Sequence, residues 1–337
     1  MRFWDRKREV EELKRYLRSE PNAILFVYGP KSSGKSTLLM RVAQELKKEP
    51  FKFLWYDLRK YAIEKAEDAI SILLGAKGMH SSLTKLFDIQ LVFISIKTEE
   101  VLKVFKKEKD PFVLMEEELL KIRDRGGMPV LVFDELQNFK DIYLNGERRL
   151  IDRLFNFFVA MTKVDHLAHV LVMTSDTFLI EEVYTSSALK NTSEYYLVDY
   201  FDDETAQRIL LDEGLTEEDA RYAVSQIGGV PWMMERVLSN GDVKGKIQEL
   251  YLQYRARLED VLAESYKEGK YDVVVRALKK ALRSELDTIR DREIIEYLVE
   301  REVLFFDPIN RSVKFQTRLD ERAARELINS PERGDEG

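Results

Sequence analysis

The chain of 337 residues is long enough for two or three domains, and its 45% hydrophobic fraction can supply a sizeable core. Acidic residues outnumber basic ones, 61 to 54, so the net charge of -7 argues against a general nucleic-acid coat but not against a local basic patch. The absence of cysteine excludes disulfides, thiolate metal sites and cysteine nucleophiles. No apolar run approaches the roughly 18 residues of a membrane span, so a cytoplasmic protein is expected.

The first predicted strand leads into a glycine loop and a helix. Residues 23–28 are apolar, with aromatic and β-branched side chains typical of a buried strand. Residues 29–36, "GPKSSGKS", then match the phosphate-loop pattern G-x-x-x-x-G-K-[ST] and precede a run with helical spacing. The glycines allow successive N–H groups to face phosphate oxygens. Lys35 is expected to lie in a solvent-facing pocket and reach the β- and γ-phosphates, and Ser36 to offer its hydroxyl to Mg²⁺.

A second strand is predicted at residues 51–58, "FKFLWYDL". The segment Leu83–Lys109 then changes from a strand-like stretch to a basic helix. It is interpreted as an insertion before the next strand, and the sequence assigns it no role.

Two acids end the next predicted strand. Residues 130–133 are apolar, and Asp134 and Glu135 follow at the carboxyl end, where open α/β sheets bind ligands. We expect Asp134 to hold a water on Mg²⁺ and Glu135 to polarise the attacking water. Adjacent acids also occur in solvated loops, so this hypothesis depends on the phosphate loop upstream.

A further predicted strand, residues 169–177, ends in hydroxyl groups. Ser175 is predicted to sense the γ-phosphate or orient the attacking water, although Ser and Thr also simply terminate strands. With another strand at residues 195–201 and helices between strands, the pattern predicts an α/β fold with a mostly parallel sheet. This P-loop NTPase core is predicted to span residues 1–200.

The pattern becomes helical after the core. Two helices with acidic or threonine caps precede "IGGVPWMMERV", in which Pro231 suits the first turn of a third helix. These helices predict a small lid at residues 201–245. Charged helices followed by a short hairpin, with strands at residues 303–306 and 313–316, predict a winged-helix-like domain at residues 246–330, and residues 331–337 are predicted to be disordered.

Together these motifs resemble the archaeal STAND-type P-loop ATPases, relatives of the AAA+ proteins. The likeness rests on "FWDRKREVEEL", "GPKSSGKST", "LVFDELQ" and "GGVP". The resemblance implies that Phe3 and Arg6 lie beside the adenine, although Lys7 stands where Glu is usual. It also implies that Pro231 packs against the nucleotide from the lid, so that the lid can act as a switch. The alternative is a proline that only starts a helix.

The site residues predicted in this way fall into three groups. The nucleotide-binding residues are Phe3, Arg6, Gly29, Pro30, Lys31, Ser32, Ser33, Gly34, Lys35, Ser36, Thr37 and Pro231. The catalytic residues are Glu135, Lys35 and Ser175. The residues for Mg²⁺ are Ser36 and, through a water, Asp134.

The stretch after the strand predicted at residues 169–177 departs from the family pattern. Relatives often carry an arginine there, near a Leu/Tyr-Gly-Arg motif, whereas this chain reads "SSALKNTSEYY", with Lys190 and no arginine. The departure argues against an arginine finger from this segment and against fast hydrolysis. Arg148, Arg149 and Arg153 are alternatives, but they are interpreted as a solvated helix face.

The sequence therefore predicts an ATP-binding protein and Mg²⁺-dependent ATPase that acts as a nucleotide-controlled switch with a protein partner. The resemblance to ATPases implies adenine as the base. One alternative is an ATP-regulated DNA-binding initiator or regulator that uses residues 276–316, although the acidic helix at 291–302 opposes phosphate contact. Another is an interaction scaffold with nucleotide locked in. The sequence does not indicate the oligomeric state.

Overall fold

Alternating apolar strands and amphipathic helices build the first part of the chain. The computed structural model describes residues 4–75, 96, 98–106, 108–144, 148–186 and 189–329. The predictions for Phe3, for most of the strand-like part of the 83–109 segment and for the 331–337 tail lie outside these residues. Within them, residues 6–28 and 34–197 form one compact unit, and residues 4–5, 29–33 and 198–329 form a second.

The first unit contains both a large sheet and a small hairpin. Its elements, in chain order, are α1 (Lys7–Arg18), β1 (Ile24–Tyr28), α2 (Lys35–Glu45), β2 (Phe51–Asp57), α3 (Ala66–Leu73), α4 (Thr98–Phe105), α5 (Pro111–Asp124), β3 (Met128–Asp134), β4 (Tyr143–Leu144), β5 (Arg148–Arg149), α6 (Leu150–Val159), β6 (His169–Thr174), α7 (Thr177–Thr185) and β7 (Ser193–Leu197).

The large sheet is parallel and five-stranded, in the order β2-β3-β6-β1-β7. Every residue of β1 and β6 is buried, as is typical of parallel strands covered on both faces. The predicted α/β fold with a parallel sheet is therefore confirmed. The register sets Asp57 beside Asp134, and Tyr28 beside both Thr174 and Leu197. The polar ends of these strands therefore meet at one edge of the sheet.

β2 ends one residue earlier than predicted, and two further strands end three and four residues early because their partner strand ends. β6 stops at Thr174 and β7 at Leu197, each opposite Tyr28, the last residue of β1. Beyond Tyr28 the chain enters the glycine loop and forms no further strand hydrogen bonds with β6 or β7. After β6 the Asp176 carboxylate accepts hydrogen bonds from the backbone N–H groups of Phe178 and Leu179 and so starts α7.

The prediction of one helix face for the three arginines is wrong. Residues 148 and 149 form β5, which pairs with β4, and α6 begins only at Leu150. Arg153 lies on α6. Helical spacing could not distinguish this arrangement, because a two-residue strand requires a partner segment that local periodicity does not show.

The second unit is helical except for one hairpin. Its elements are α8 (Asp203–Asp212), α9 (Glu217–Ile227), α10 (Pro231–Leu238), α11 (Val243–Lys267), α12 (Tyr271–Leu282), α13 (Arg292–Glu300), β8 (Leu304–Asp307), β9 (Ser312–Phe315) and α14 (Arg318–Asn329).

The predicted capping chemistry starts these helices. Asp202 and Thr216 accept hydrogen bonds from the backbone of Thr205 and Asp219, and Pro231 is the first residue of α10. One buried cluster extends from Ala206 to Ala324, so the predicted lid and the predicted C-terminal domain share a core. The hairpin β8–β9 lies within one residue of its predicted strands. None of the described helices is both long and apolar enough to cross a membrane.

Candidate nucleotide site

The glycine loop between β1 and α2 has the backbone geometry that its motif predicts. Gly29, Ser32 and Gly34 have φ values of 150°, 60° and 93°. A side chain at Gly29 would bring its Cβ within 2.2 Å of the Val198 carbonyl oxygen, so only glycine fits. Gly34 is the N-cap residue of α2 and has no side chain to cap the first turn. The positive end of a helix without a side-chain cap is suited to phosphate oxygens.

Lys35 is the first residue of α2 and is buried, at 8% exposure, rather than solvent-facing as expected. Burial lowers the pKa of its ammonium from 10.5 to about 8, against the opposing influence of the Glu135 and Asp134 carboxylates. A buried ammonium in this state gains most from an anion of high charge. A nucleotide phosphate therefore suits this position.

The two residues predicted to hold Mg²⁺ lie together. The Ser36 hydroxyl donates a hydrogen bond of 3.0 Å to Asp134 Oδ2, and Asp134 is only 2% exposed. Burial raises the pKa of this carboxyl to about 6, although Arg59 and Ser36 act in the opposite direction. Among the described residues no cluster of three or more acids or histidines could hold a metal ion. Mg²⁺ commonly takes only one or two protein oxygens and completes its shell with phosphates and waters, so this pair fits it.

Glu135 is held in an unusual backbone conformation at the end of β3. Its φ is 62°, in a region that costs non-glycine residues about 1–3 kcal/mol. The Gln137 amide donates a short hydrogen bond to the Glu135 carboxylate, and Thr174 Oγ1 donates one of 2.9 Å to Gln137 Oε1. The Glu135 carboxylate is therefore oriented by residues from two adjacent strand ends.

This hydrogen-bond chain includes residues that sequence reasoning did not select. The predicted hydroxyl was that of Ser175, whereas the hydroxyl that contacts Gln137 belongs to the preceding residue, Thr174. Thr174 Oγ1 also accepts a hydrogen bond of 2.9 Å from the backbone N–H of Asp176. The role of Ser175 stays a prediction. Gln137 was missed, and its only sequence signal is its position two residues after Glu135.

Two arginines of the first unit carry further positive charge. Arg6, at 5% exposure, donates to Glu9 at 2.9 Å, and its predicted place beside adenine stays a prediction. Arg59 was missed by sequence reasoning. It follows β2 and donates to Asp134 Oδ2 at 2.7 Å and to Asp57 Oδ1 at 3.0 Å. The sequence feature that could have indicated Arg59 is a cation just after β2, because the carboxyl ends of β2 and β3 lie side by side.

Two of the three arginines considered as substitutes for an arginine finger, Arg149 and Arg153, are engaged in other ion pairs. Arg149 contacts Asp152 and Glu182, at 3.0 and 2.8 Å. Arg153 contacts Asp110 at 2.8 Å. Exposed pairs of this kind contribute about 0–1 kcal/mol, which agrees with a solvated surface.

The sequence matches a family model described as an ATPase domain predominantly from Archaea, over residues 3–237. The chain belongs to this archaeal ATPase family. A second model, the C-terminal domain of MJ1010-like ATP-binding proteins, matches residues 244–328. The first match ends in the last turn of α10, and the second begins in the first turn of α11.

Full-length relatives support the same assignment. The chain is 36% identical over 339 residues to the ATP-binding protein MJECL26 of Methanocaldococcus jannaschii, covering 98% of each chain. It is 32% identical over 340 residues to the ATP-binding protein PYRAB09480 of Pyrococcus abyssi, covering 97% of this chain and 99% of the relative. Among solved structures, the Aeropyrum pernix ORC2 protein aligns with a TM-score of 0.45 and 11% identity, covering 97% and 96% of the two chains. That likeness is too low to assign an activity.

In this ATPase family member, the Gly-Gly-Val-Pro stretch lies within the ATPase-domain match. Gly229 pairs with Phe201 in an isolated antiparallel bridge, and a Cβ at Gly229 would lie 2.1 Å from the Phe201 carbonyl oxygen. The second glycine therefore serves a close backbone approach. The contact of Pro231 with nucleotide stays a prediction.

Loop residues 29–33 belong to the second unit, and Lys31 has two contacts there. Its carbonyl accepts a hydrogen bond of 2.8 Å from the Tyr200 hydroxyl, and its ammonium forms an ion pair with Glu302. Arg257 lies 3.7 Å from the Glu302 carboxylate and 2.5 Å from that of Asp320. A pocket in this unit is lined by Lys31 and Ser32 together with Tyr200, Val230, Trp232, Tyr254, Arg257, Glu302, Gln316 and Thr317.

Proposed function

We propose that this protein binds ATP and ADP, hydrolyses ATP slowly with Mg²⁺, and acts as a nucleotide-controlled switch. The observation that carries the proposal is the arrangement of Lys35, Ser36 and Asp134 at the start of α2 and the end of β3. A buried ammonium, a hydroxyl and a carboxylate in this order suit the phosphates and the metal of a nucleotide. Family membership and the ATP-binding relatives support the same ligand.

Each residue has a distinct role in the proposed hydrolysis. Lys35 binds the β- and γ-phosphates, while Ser36 directly and Asp134 through a water would hold Mg²⁺, which when bound would neutralise charge on the phosphates. Glu135 takes the proton of the attacking water as general base. Gln137 and Thr174 keep the Glu135 carboxylate oriented. Residues 186–196, which follow β6 and α7, contain no arginine that could act as a finger, and slow turnover is therefore expected.

The first experiment identifies the nucleotide retained on the purified protein and measures ATP binding by calorimetry. Lys35→Ala should abolish or severely weaken binding, while Lys48→Ala, an exposed lysine just after α2, serves as the matched control. If Lys35→Ala binds ATP as tightly as the wild type, the phosphate-loop assignment is wrong, and so is the proposed activity.

Lys31 provides the physical basis for the switch. Its contacts with Tyr200 and Glu302 lie within the second unit and connect loop residues 29–33 to the helices and hairpin of that unit. A nucleotide can shift a conformational equilibrium only by binding its states with different affinities. The Lys31 and Glu302 side chains are 60% and 40% exposed, so their ion pair alone supplies at most about 1 kcal/mol, or fivefold in affinity. The Tyr200 hydrogen bond to the loop backbone must therefore contribute as well.

The switch is tested by comparing the ADP-induced rise in melting temperature between variants. Tyr200→Phe and Glu302→Gln each remove one contact to Lys31 and should change the rise, with a larger effect in the double variant. Tyr184→Phe is a control, because that tyrosine is exposed in the first unit. If all variants show the rise of the wild type, Lys31 does not transmit nucleotide occupancy.

A DNA-binding regulator is a second candidate, favoured by one exposed basic face. Arg276, Lys279 and Arg283 are exposed and recur at helical spacing in and just after α12, while Lys280 is bonded to Asp291. Three phosphate contacts would give a slope of about -2.7 in log affinity against log salt. Fluorescence anisotropy with a labelled duplex at several salt concentrations tests this. If DNA binding does not weaken with salt, or persists after all three residues are replaced by Gln, this face is not the DNA-binding surface.

A further inference from the structure

Arg59 is the exposed cation that lies directly against the proposed metal residue. It stands in a short turn after β2, and Asp57, at the end of β2, lies opposite Asp134 in the sheet. Its Nη2 donates to Asp134 Oδ2 at 2.7 Å, and its Nε donates to Asp57 Oδ1 at 3.0 Å. The register of the parallel strands β2 and β3 therefore places this guanidinium beside Asp134.

The contact uses the same carboxylate oxygen as Ser36. Asp134 Oδ2 accepts both the Ser36 hydroxyl at 3.0 Å and the Arg59 guanidinium at 2.7 Å. A carboxylate oxygen has room for about two such donors. A metal-bound water that donates a hydrogen bond to this oxygen must therefore compete with Arg59, because both groups need the same acceptor.

The Arg59 side chain borders solvent, which leaves it space for another position. Its side chain is 52% exposed, whereas that of Asp134 is 3% exposed. The Asp134 oxygen that Arg59 contacts also accepts the hydroxyl of Ser36, the residue after Lys35 in α2. Since Lys35 is the proposed ligand of the β- and γ-phosphates, Arg59 lies within electrostatic range of the same anion.

We infer that Arg59 neutralises Asp134 while no Mg²⁺ is bound and contacts the terminal phosphate of ATP once Mg²⁺ takes its place. This assignment rests on the proposed function and names a further residue of that site. The planar guanidinium suits both roles, because it forms two parallel hydrogen bonds with carboxylates and with phosphates. It supplies, from within the same chain, an arginine that residues 186–196 lack.

The test compares the full-length wild type with Arg59→Ala by calorimetry, using ADP and a non-hydrolysable ATP analogue, each across a Mg²⁺ series. The affinity for the ATP analogue should fall about tenfold or more, as for one lost charge-assisted contact, while the affinity for ADP changes by less than about threefold. The Mg²⁺ concentration at half-maximal ADP binding should also fall, because the competing cation is gone.

Two further variants and one control complete the design. Arg59→Lys keeps the charge without the planar fork and should lose less affinity for the ATP analogue. Lys60→Ala removes the neighbouring cation, which contacts Asp57 at 3.2 Å, and should leave both nucleotides and the Mg²⁺ midpoint unchanged. Melting curves without nucleotide confirm that each variant is folded.

The outcomes separate this assignment from the proposed function. Equal losses for ADP and the ATP analogue, or an unchanged Mg²⁺ midpoint, would overturn the role of Arg59 and leave nucleotide binding in place. A wild type that binds neither nucleotide would overturn the proposed function and, with it, this assignment.

Discussion

Lys35→Met should stabilise the nucleotide-free protein while it removes nucleotide binding. The wild-type ammonium is buried, and its pKa falls from 10.5 to about 8 because burial disfavours the charged form. Lowering the pKa to this value corresponds to a penalty of about 3 kcal/mol on the free energy of unfolding when the lysine is charged. Methionine has a similar shape and no charge, so up to this amount should be regained at pH 7.

The stability difference between Lys35→Met and the wild type should depend on pH in a definite direction. Between pH 8 and 10.5 the folded protein has released the Lys35 proton while the unfolded chain still binds it, so the wild type gains stability as pH rises. Below pH 8 both states carry the proton and the full penalty applies. The stability advantage of Lys35→Met should therefore be largest at or below pH 8 and vanish near pH 10.5.

Urea unfolding of the nucleotide-free wild type and variant at pH 7, 8, 9 and 10 measures this difference. Subtracting their free energies of unfolding at each pH cancels the contribution of the other titrating groups. Lys48→Met, at an exposed lysine, is the matched control and should change stability by less than about 0.5 kcal/mol at each pH. A variant less stable than the wild type at pH 7, with a difference that stays constant to pH 10, would refute the desolvation argument.

Three further predictions concern the same site. Glu135→Gln should bind ATP as the wild type does but turn it over at least about 100-fold more slowly, because the amide cannot accept the proton of water; equal turnover in a phosphate-release assay would exclude Glu135 as the base. Asp134→Asn should raise the Mg²⁺ concentration needed for half-maximal ADP binding, and calorimetry that finds the wild-type midpoint would contradict its role as a metal residue. Pro231→Ala should show a smaller ADP-induced rise in melting temperature, because it deletes contacts made only with nucleotide bound. If that rise matches the wild type, the proline merely starts α10.

The amino-acid sequence by itself was sufficient for features that depend on adjacent residues. The phosphate loop is recognised because Gly29 and Gly34 meet backbone requirements within one short segment, and their φ values agree with that expectation. The start of α10 at Pro231 and the hairpin β8–β9 were likewise predicted to within a residue. Local conformational preferences act over these distances, so local patterns reveal them.

The tertiary structure decided which distant side chains meet. Arg59 contacts Asp134 across 75 positions, and Thr174 contacts Gln137 across 37. Both contacts depend on the order of β2, β3 and β6 in the sheet, which a local pattern does not contain. The burial of Lys35 is also a tertiary result, since surrounding elements remove water from a side chain that would be solvated on an isolated helix. Long-range strand register and desolvation, rather than residue type alone, therefore set the charge balance of this site.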